Sequence, residues 1–140
     1  MRDEPQLRIL YVDDNDNDHK LFRRAVDRTC PGCDLSEASD PAHALNQITK
    51  DAMPHVVLTD GSFHGTDGPA FIEQLRRRFP SVPVIALSGR TDQDTINRCY
   101  AAGVSAYFVK PVEFSALLET VRVITRFLEQ ARLPEPRRDR

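Results

Sequence analysis

Five polar residues stand directly after short apolar runs, and their types suit the handling of a phosphoryl group. Asp13 and Asp14 follow the first run, and Asp60 follows the third. Ser88 follows the fourth run, and Lys110 follows the fifth. Carboxylates that converge raise one another's pKa unless a cation offsets their charge, and a small set of oxygen ligands suits Mg²⁺. A lysine and a hydroxyl facing that metal could receive phosphoryl oxygens, while the remaining carboxylate accepts the group as an acyl phosphate.

The elements that must position these residues follow from hydrophobic periodicity. Short apolar runs predict strands at residues 7–12, 34–38, 55–59, 82–87 and 105–109. Stretches with apolar residues at helical spacing predict helices over 16–28, 41–52, 69–79, 92–102 and 113–132. The capping residues are predicted to be Asp16 or Asn17 for the first helix, Asp40 for the second, and Thr91 or Asp92 for the fourth.

Five strand–helix pairs with short links predict an α/β fold. Parallel strands need crossover helices, so we expect a doubly wound five-stranded parallel sheet with helices on both faces. The second strand is the least apolar and is therefore placed at an edge, which gives the flavodoxin-like strand order 2-1-3-4-5. Ligands of such sheets bind outside the carboxyl ends of the strands, where the five polar residues are predicted to meet.

Length and composition limit the classes of protein to consider. The chain has 140 residues, of which 40% are hydrophobic and 29% charged, values typical of one globular domain. A net charge of -2 argues against a nucleic-acid partner. No apolar run approaches the ~20 residues of a membrane helix, and the polar start is not a signal peptide. We therefore expect no membrane partner, a cytoplasmic location, a domain over residues 6–132 and a disordered tail over 133–140.

The polar residues also carry a family resemblance. Over residues 6–130, their order and strand placement resemble the motifs of response-regulator receiver domains: Asp13-Asp14, Asp60, Asp67-Gly68, Ser88 and Lys110-Pro111. The resemblance implies a single-domain response regulator of a two-component phosphorelay, similar to chemotaxis regulators, and not an enzyme. It implies a sensor histidine kinase or phosphotransfer protein as donor and a downstream target protein as receiver of the signal. About eight residues follow the last helix, so the signal would be an altered protein–protein affinity.

The resemblance assigns the phosphoacceptor and the metal ligands. Asp60 would be phosphorylated, and Mg²⁺ would be the cofactor. Asp14 and Asp60 would bind the ion through their side chains, Ser62 through its backbone carbonyl, and Asp13 through water.

It also assigns the residues that respond to phosphorylation. Lys110 would pair with the phosphoryl oxygens, and its bond to Pro111 would be a cis peptide. Ser88 and Tyr107 would form the switch. His64 stands where many receivers have proline, four residues after the phosphoacceptor, so this loop departs from the family pattern.

Cys30 and Cys33 form a Cys-x-x-Cys spacing around Pro31-Gly32. The spacing admits a redox or metal site, but the proline and glycine follow a helical stretch and favour a simple turn holding small buried thiols.

Other functions fit parts of the pattern. A haloacid-dehalogenase-like phosphohydrolase also uses Asp, Ser and Lys at strand ends, but its second Asp motif and a cap domain are missing here. A receiver-like docking protein that works without phosphate is another alternative. Receivers commonly use the fourth helix, fifth strand and fifth helix for dimers or targets, so a homodimer through these elements is a further expectation. Asp14-Asn15 together with Asp18, and the string 107–112 before a long last helix, also resemble small regulators paired with phytochrome-type kinases.

Overall fold

A single parallel sheet forms the centre of the molecule in the computed structural model, which describes residues 6–131. The strands are β1 (Arg8–Val12), β2 (Asp34–Ala38), β3 (Val56–Thr59), β4 (Val84–Ser88) and β5 (Ala106–Val109). Their order in the sheet is β2-β1-β3-β4-β5, and every neighbouring pair is parallel. The predicted fold class and strand order are therefore confirmed. The tail predicted over 133–140, and residue 132 of the predicted domain, lie outside the described residues.

Five helices cover both faces of the sheet: α1 (Asp16–Thr29), α2 (Pro41–Gln47), α3 (Gly68–Arg78), α4 (Gln93–Ala102) and α5 (Phe114–Gln130). On one face α1 and α5 pack against each other and against the sheet, burying residues such as Phe22 and Val121. On the other face α2, α3 and α4 bury residues such as Ala44, Phe71 and Cys99. Across residues 6–131, no helix combines the length and the apolar character needed to cross a bilayer.

Burial explains which strands are apolar. All residues of β3 and β4 are buried, because both strands have neighbours on either side and helices above and below. In β2, at the edge of the sheet, exposed Asp34 and Ser36 alternate with partly buried Leu35 and Glu37. The polar sequence of the second strand therefore reflects its edge position, as predicted.

The cap of α1 and the end of α2 differ from the predictions, whereas the other helix ends agree with them within two residues. The N-cap of α1 is Asn15, whose backbone is extended and whose side-chain Oδ1 accepts the Asp18 N–H at 2.9 Å, so neither Asp16 nor Asn17 is the cap. The second helix ends at Gln47 because Ile48 has an extended backbone, and the Ala52 N–H then bonds to the Thr49 carbonyl. Asp40 and Asp92 cap α2 and α4 as predicted.

The Cys30–Cys33 segment is a turn, as predicted, but its sulfurs are not free thiols. The Cys33 N–H donates to the Cys30 carbonyl, and a disulfide joins the two residues, whose Cα atoms lie 5.5 Å apart. This separation is within the range that a disulfide requires, because the turn at Pro31-Gly32 folds the chain back. Both cysteines are partly exposed, so the expectation of small buried thiols is wrong.

Candidate functional site

The five polar residues predicted to meet do so at the carboxyl edge of the sheet. Asp13, Asp14 and Asp60 each offer a carboxylate oxygen, and these oxygens lie within 4.8 Å of one another. Lys110 is close to this cluster, with its Nζ 3.8 Å from Asp60 Oδ2, and Ser88 ends β4 beside them. This convergence arises because β1, β3, β4 and β5 run in the same direction and end together.

Asp13 is the most enclosed of the three carboxylates. It is fully buried, and its Oδ2 accepts hydrogen bonds from the Tyr11 hydroxyl at 2.8 Å and from Lys110 Nζ at 2.7 Å. Its Oδ1 accepts the Asn15 N–H at 3.0 Å. Burial and the neighbouring Asp13 carboxylate raise the pKa of Tyr11 far above its usual range, so the Tyr11 hydroxyl stays protonated and acts as a donor. These three hydrogen bonds hold the Asp13 carboxylate in one orientation.

Asp60 lies in the same crevice with fewer hydrogen bonds. Burial raises the pKa of its carboxyl, and the charge of Asp13 raises it further, whereas Lys110 and Ser88 act in the opposite direction. The Ser62 N–H donates to Asp60 Oδ1 at 3.3 Å, which places Ser62 beside the cluster. The neighbouring groups of the protein therefore offset the charge of an ionised Asp60 only in part.

Lys110 is held by two carboxylates, of which only Asp13 was predicted to belong to the site. Its Nζ donates to Asp13 Oδ2 at 2.7 Å and to Asp18 Oδ2 at 2.8 Å. Burial lowers the pKa of Lys110, but the hydrogen bonds to both carboxylates outweigh burial and raise the pKa overall. The signal for Asp18 was its place three residues after Asn15, which as N-cap puts Asp18 on the first turn of the helix that follows β1.

His64 contacts a predicted metal ligand. Its backbone N–H donates to Asp14 Oδ2 at 2.9 Å, and its ring Nδ1 lies 3.0 Å from the same oxygen. Burial raises the pKa of Asp14, but these contacts with His64 lower it more, and the net pKa is below the usual value. Where many receivers have proline, which has no N–H, this chain therefore places both a backbone N–H and an imidazole ring beside Asp14, at the edge of the acidic cluster.

The backbone of Arg90 links the two predicted switch residues. Its N–H donates to Ser88 Oγ at 3.2 Å, and its carbonyl accepts the Tyr107 hydroxyl at 2.8 Å. Tyr107 is partly buried, and its own N–H donates to the hydroxyl oxygen of Tyr100 at 3.1 Å. If Ser88 moved toward Asp60, the Arg90 backbone would lose its contact with Ser88 Oγ. The hydrogen bond from the Tyr107 hydroxyl to the Arg90 carbonyl would then change as well.

One geometric expectation at this site is wrong. The peptide bond between Lys110 and Pro111 is trans. The trans isomer of such a bond is favoured by about 0.5–1 kcal/mol, so only tertiary contacts can impose the cis form.

The Tyr11 hydroxyl gives a prediction about stability. We expect Tyr11→Phe to lower the free energy of unfolding by about 1–2 kcal/mol, because Asp13 loses a buried donor while the ring keeps its stack on Phe22. Urea unfolding measures this difference. Tyr107→Phe, which removes a more exposed hydroxyl, is the control and should cost less. Equal decreases in the free energy of unfolding of both variants would show that the hydrogen bond from Tyr11 to Asp13 contributes no more than the one from the more exposed Tyr107 hydroxyl.

Comparison with known protein families gives a match over most of the chain. Residues 9–122 match the family described as the response regulator receiver domain. Among curated proteins, the probable methanogenesis regulatory protein FilR2 of Methanothrix harundinacea is 30% identical over 126 residues, which cover 85% of this chain and 81% of FilR2. The transcriptional regulatory protein DegU of Brevibacillus brevis is 28% identical, and the match covers 88% of this chain but 52% of DegU. The chain thus spans most of one relative and about half of the other.

Solved structures share the fold. A response regulator in red light signaling of R. palustris, RPA3017, is 28% identical with a TM-score of 0.82, over 91% of this chain and 98% of that one. The phosphorylated cyanobacterial phytochrome response regulator RcpA is 24% identical with a TM-score of 0.83, over 94% of this chain and all of RcpA. The Mn²⁺-bound form of the response regulator Rcp1 is 22% identical with a TM-score of 0.80, over 94% of this chain and all of Rcp1.

Proposed function

Because this chain belongs to the response regulator receiver domain family, we propose that it accepts a phosphoryl group on Asp60 from a histidine kinase or phosphotransfer protein. The observation that carries the proposal is the setting of Asp60, which is buried beside two other carboxylates and 3.8 Å from the Lys110 ammonium. Family membership favours this signalling role over the haloacid-dehalogenase-like alternative.

The residues around Asp60 fit the Mg²⁺ that the proposal requires. Side-chain oxygens of Asp13, Asp14 and Asp60 form a hard, anionic donor set of the kind that Mg²⁺ prefers. In our proposal Asp14 and Asp60 hold the ion directly, Asp13 does so through water, and the Ser62 carbonyl completes the protein ligands. The ion would supply positive charge that neutralises the carboxylates and the incoming phosphoryl oxygens.

The proposed transfer is a substitution at phosphorus. An oxygen of the Asp60 carboxylate forms the new P–O bond as the P–N bond of a phosphohistidine breaks, and the imidazole leaves with the electron pair and takes up a proton. Lys110 and Ser88 stabilise the charge on the phosphoryl oxygens. Gly89 leaves the approach open, because no atom lies within 4 Å of the place where a side chain would begin.

Phosphorylation would be detected by a partner that binds the surface near Tyr107. Phosphorylation would draw Ser88 toward Asp60 and so change the support that Arg90 gives to Tyr107. Close to Tyr107 the face formed by α4, β5 and α5 exposes apolar side chains: Tyr100, Val109, Val123 and Phe127. We propose this face as the surface for a second copy or a target protein, with the protein acting as a single-domain regulator. A kinase donor that draws on ATP implies action in the cytoplasm.

Intact-mass measurement tests the proposed function. The protein is incubated with phosphoramidate and Mg²⁺, and we expect one added phosphoryl group that is absent when a chelator is present. Phosphoramidate is suitable because it carries the same P–N bond as phosphohistidine. A kinase that acts in red light signaling is the first protein donor to test, given the 28% identity to RPA3017, a response regulator in red light signaling. Absence of an adduct, with Mg²⁺ binding shown separately by calorimetry, would contradict the proposal and favour a docking protein that works without phosphate.

A further inference from the structure

Lys110 is surrounded by three carboxylates, one of which has no part in the proposed metal site. Its Nζ lies 2.7 Å from Asp13, 2.8 Å from Asp18 and 3.8 Å from Asp60. An ammonium group has three N–H donors. Two of them are taken by Asp13 and Asp18, and Asp60 is too distant for a hydrogen bond of about 2.7–3.2 Å. The third donor is therefore available on the side of the phosphoacceptor.

Asp18 differs from the other two carboxylates in its surroundings. Asp13 and Asp60 belong to the acidic cluster, whose charge a bound cation would share. Asp18 stands on the first turn of α1 and is no member of that cluster among the residues described. A cation bound at the acidic cluster would share the charge of Asp13, whereas the Asp18 carboxylate would continue to pair with Lys110.

Burial makes this contact stronger than an ordinary surface ion pair. The side chains of Lys110 and Asp18 are 14% and 27% exposed, so water screens their attraction only in part. The Asp18 backbone is also fixed, because its N–H donates to the Asn15 cap at 2.9 Å. Asp18 therefore restricts the conformations of the Lys110 side chain, which is long and would otherwise be flexible.

We propose that Asp18 is a positioning residue of the phosphoacceptor site, which holds Lys110 so that its third donor faces the phosphoryl group on Asp60. Nζ lies 3.8 Å from Asp60 Oδ2, near enough for its third donor to reach an oxygen of a phosphoryl group bound to Asp60. Because the Lys110 ammonium is already in position before phosphoryl transfer, it does not have to move during the reaction, and this lowers the activation barrier. This inference rests on the proposed function of Asp60.

Variants of the first turn of α1 test the proposal. Asp18→Ala removes the anchor, while Asp16→Ala removes an exposed carboxylate from the same turn and serves as the matched control. With phosphoramidate and Mg²⁺, we expect the maximal phosphorylation rate of Asp18→Ala to fall about 10-fold and that of Asp16→Ala to stay within about twofold of the wild type. The donor concentration at half-maximal rate should not change. Asp18→Asn keeps an acceptor oxygen and should recover part of the lost rate.

The outcomes separate this inference from the proposed function. If the wild type forms no adduct, the proposed function itself fails. If the wild type is phosphorylated and Asp18→Ala matches Asp16→Ala, or reacts faster than the wild type, the positioning role is overturned. Circular dichroism confirms that each variant is folded. Should Asp18→Ala unfold, Asp18→Asn against Asp16→Asn carries the test, with a lower rate expected only for the former.

Discussion

Asp60→Asn is expected to abolish the phosphoryl adduct completely and to stabilise the protein at neutral pH in the absence of divalent cations. Asparagine has nearly the same shape but no carboxylate to attack phosphorus. The stabilisation follows because burial raises the pKa of Asp60, which means that folding disfavours its ionised form. Removing that charge should raise the free energy of unfolding at pH 7 by on the order of 1 kcal/mol.

The pH dependence has a definite sign. Because the pKa of Asp60 is higher in the folded protein than its ordinary value, the folded state binds the proton more tightly. The wild type therefore regains stability from this group as the pH falls through the raised pKa. The advantage of Asp60→Asn should be largest at neutral pH and should shrink as the carboxyl becomes protonated. Urea unfolding of both proteins with a chelator, at several pH values, measures this difference.

Intact mass measures the adduct. Asp51→Asn is the control, since Asp51 is an exposed loop residue, and this variant should be phosphorylated like the wild type. An undiminished adduct on Asp60→Asn would show that another side chain is the phosphoacceptor and would refute the assignment of Asp60.

Lys110→Ala should impair both chemistry and stability. We expect the phosphorylation rate to fall about 100-fold, because a positive charge beside the phosphoryl oxygens is lost. The free energy of unfolding should fall by about 2 kcal/mol, since Asp13 is fully buried and loses its cationic partner. Lys110 also lowers the pKa of Asp60, so in its absence that pKa should rise further.

Mg²⁺ distinguishes the two roles of Lys110. A divalent cation at the acidic cluster would offset the charge of Asp13 and recover much of the lost stability, but it would not restore the donor to the phosphoryl group. Phosphorylation rates and urea unfolding, each with and without Mg²⁺, measure both effects. Lys20→Ala, on the exposed side of α1, is the control and should change neither quantity. A phosphorylation rate of Lys110→Ala equal to that of Lys20→Ala would exclude Lys110 from the chemistry.

The amino-acid sequence determined the sheet and the residues at its carboxyl edge. Apolar runs of strand length, separated by helical periodicity, admit few arrangements other than a parallel sheet with helices on both faces. Once the strands are parallel, every residue that directly follows a strand lies at the same edge. The convergence of Asp13, Asp60 and Lys110 is therefore a consequence of local patterns and one rule of topology.

Tertiary structure decided how those residues are paired. Asp18 and Lys110 are 92 residues apart, and Asp14 and His64 are 50 apart, so no local pattern links them. Each contact depends on the exact end of a strand or helix. Asn15, and not Asp16, caps α1, and this sets the direction in which Asp18 points. The Cys30–Cys33 disulfide likewise depends on the exact end of α1, because the turn that follows the helix brings the two Cα atoms to 5.5 Å from each other.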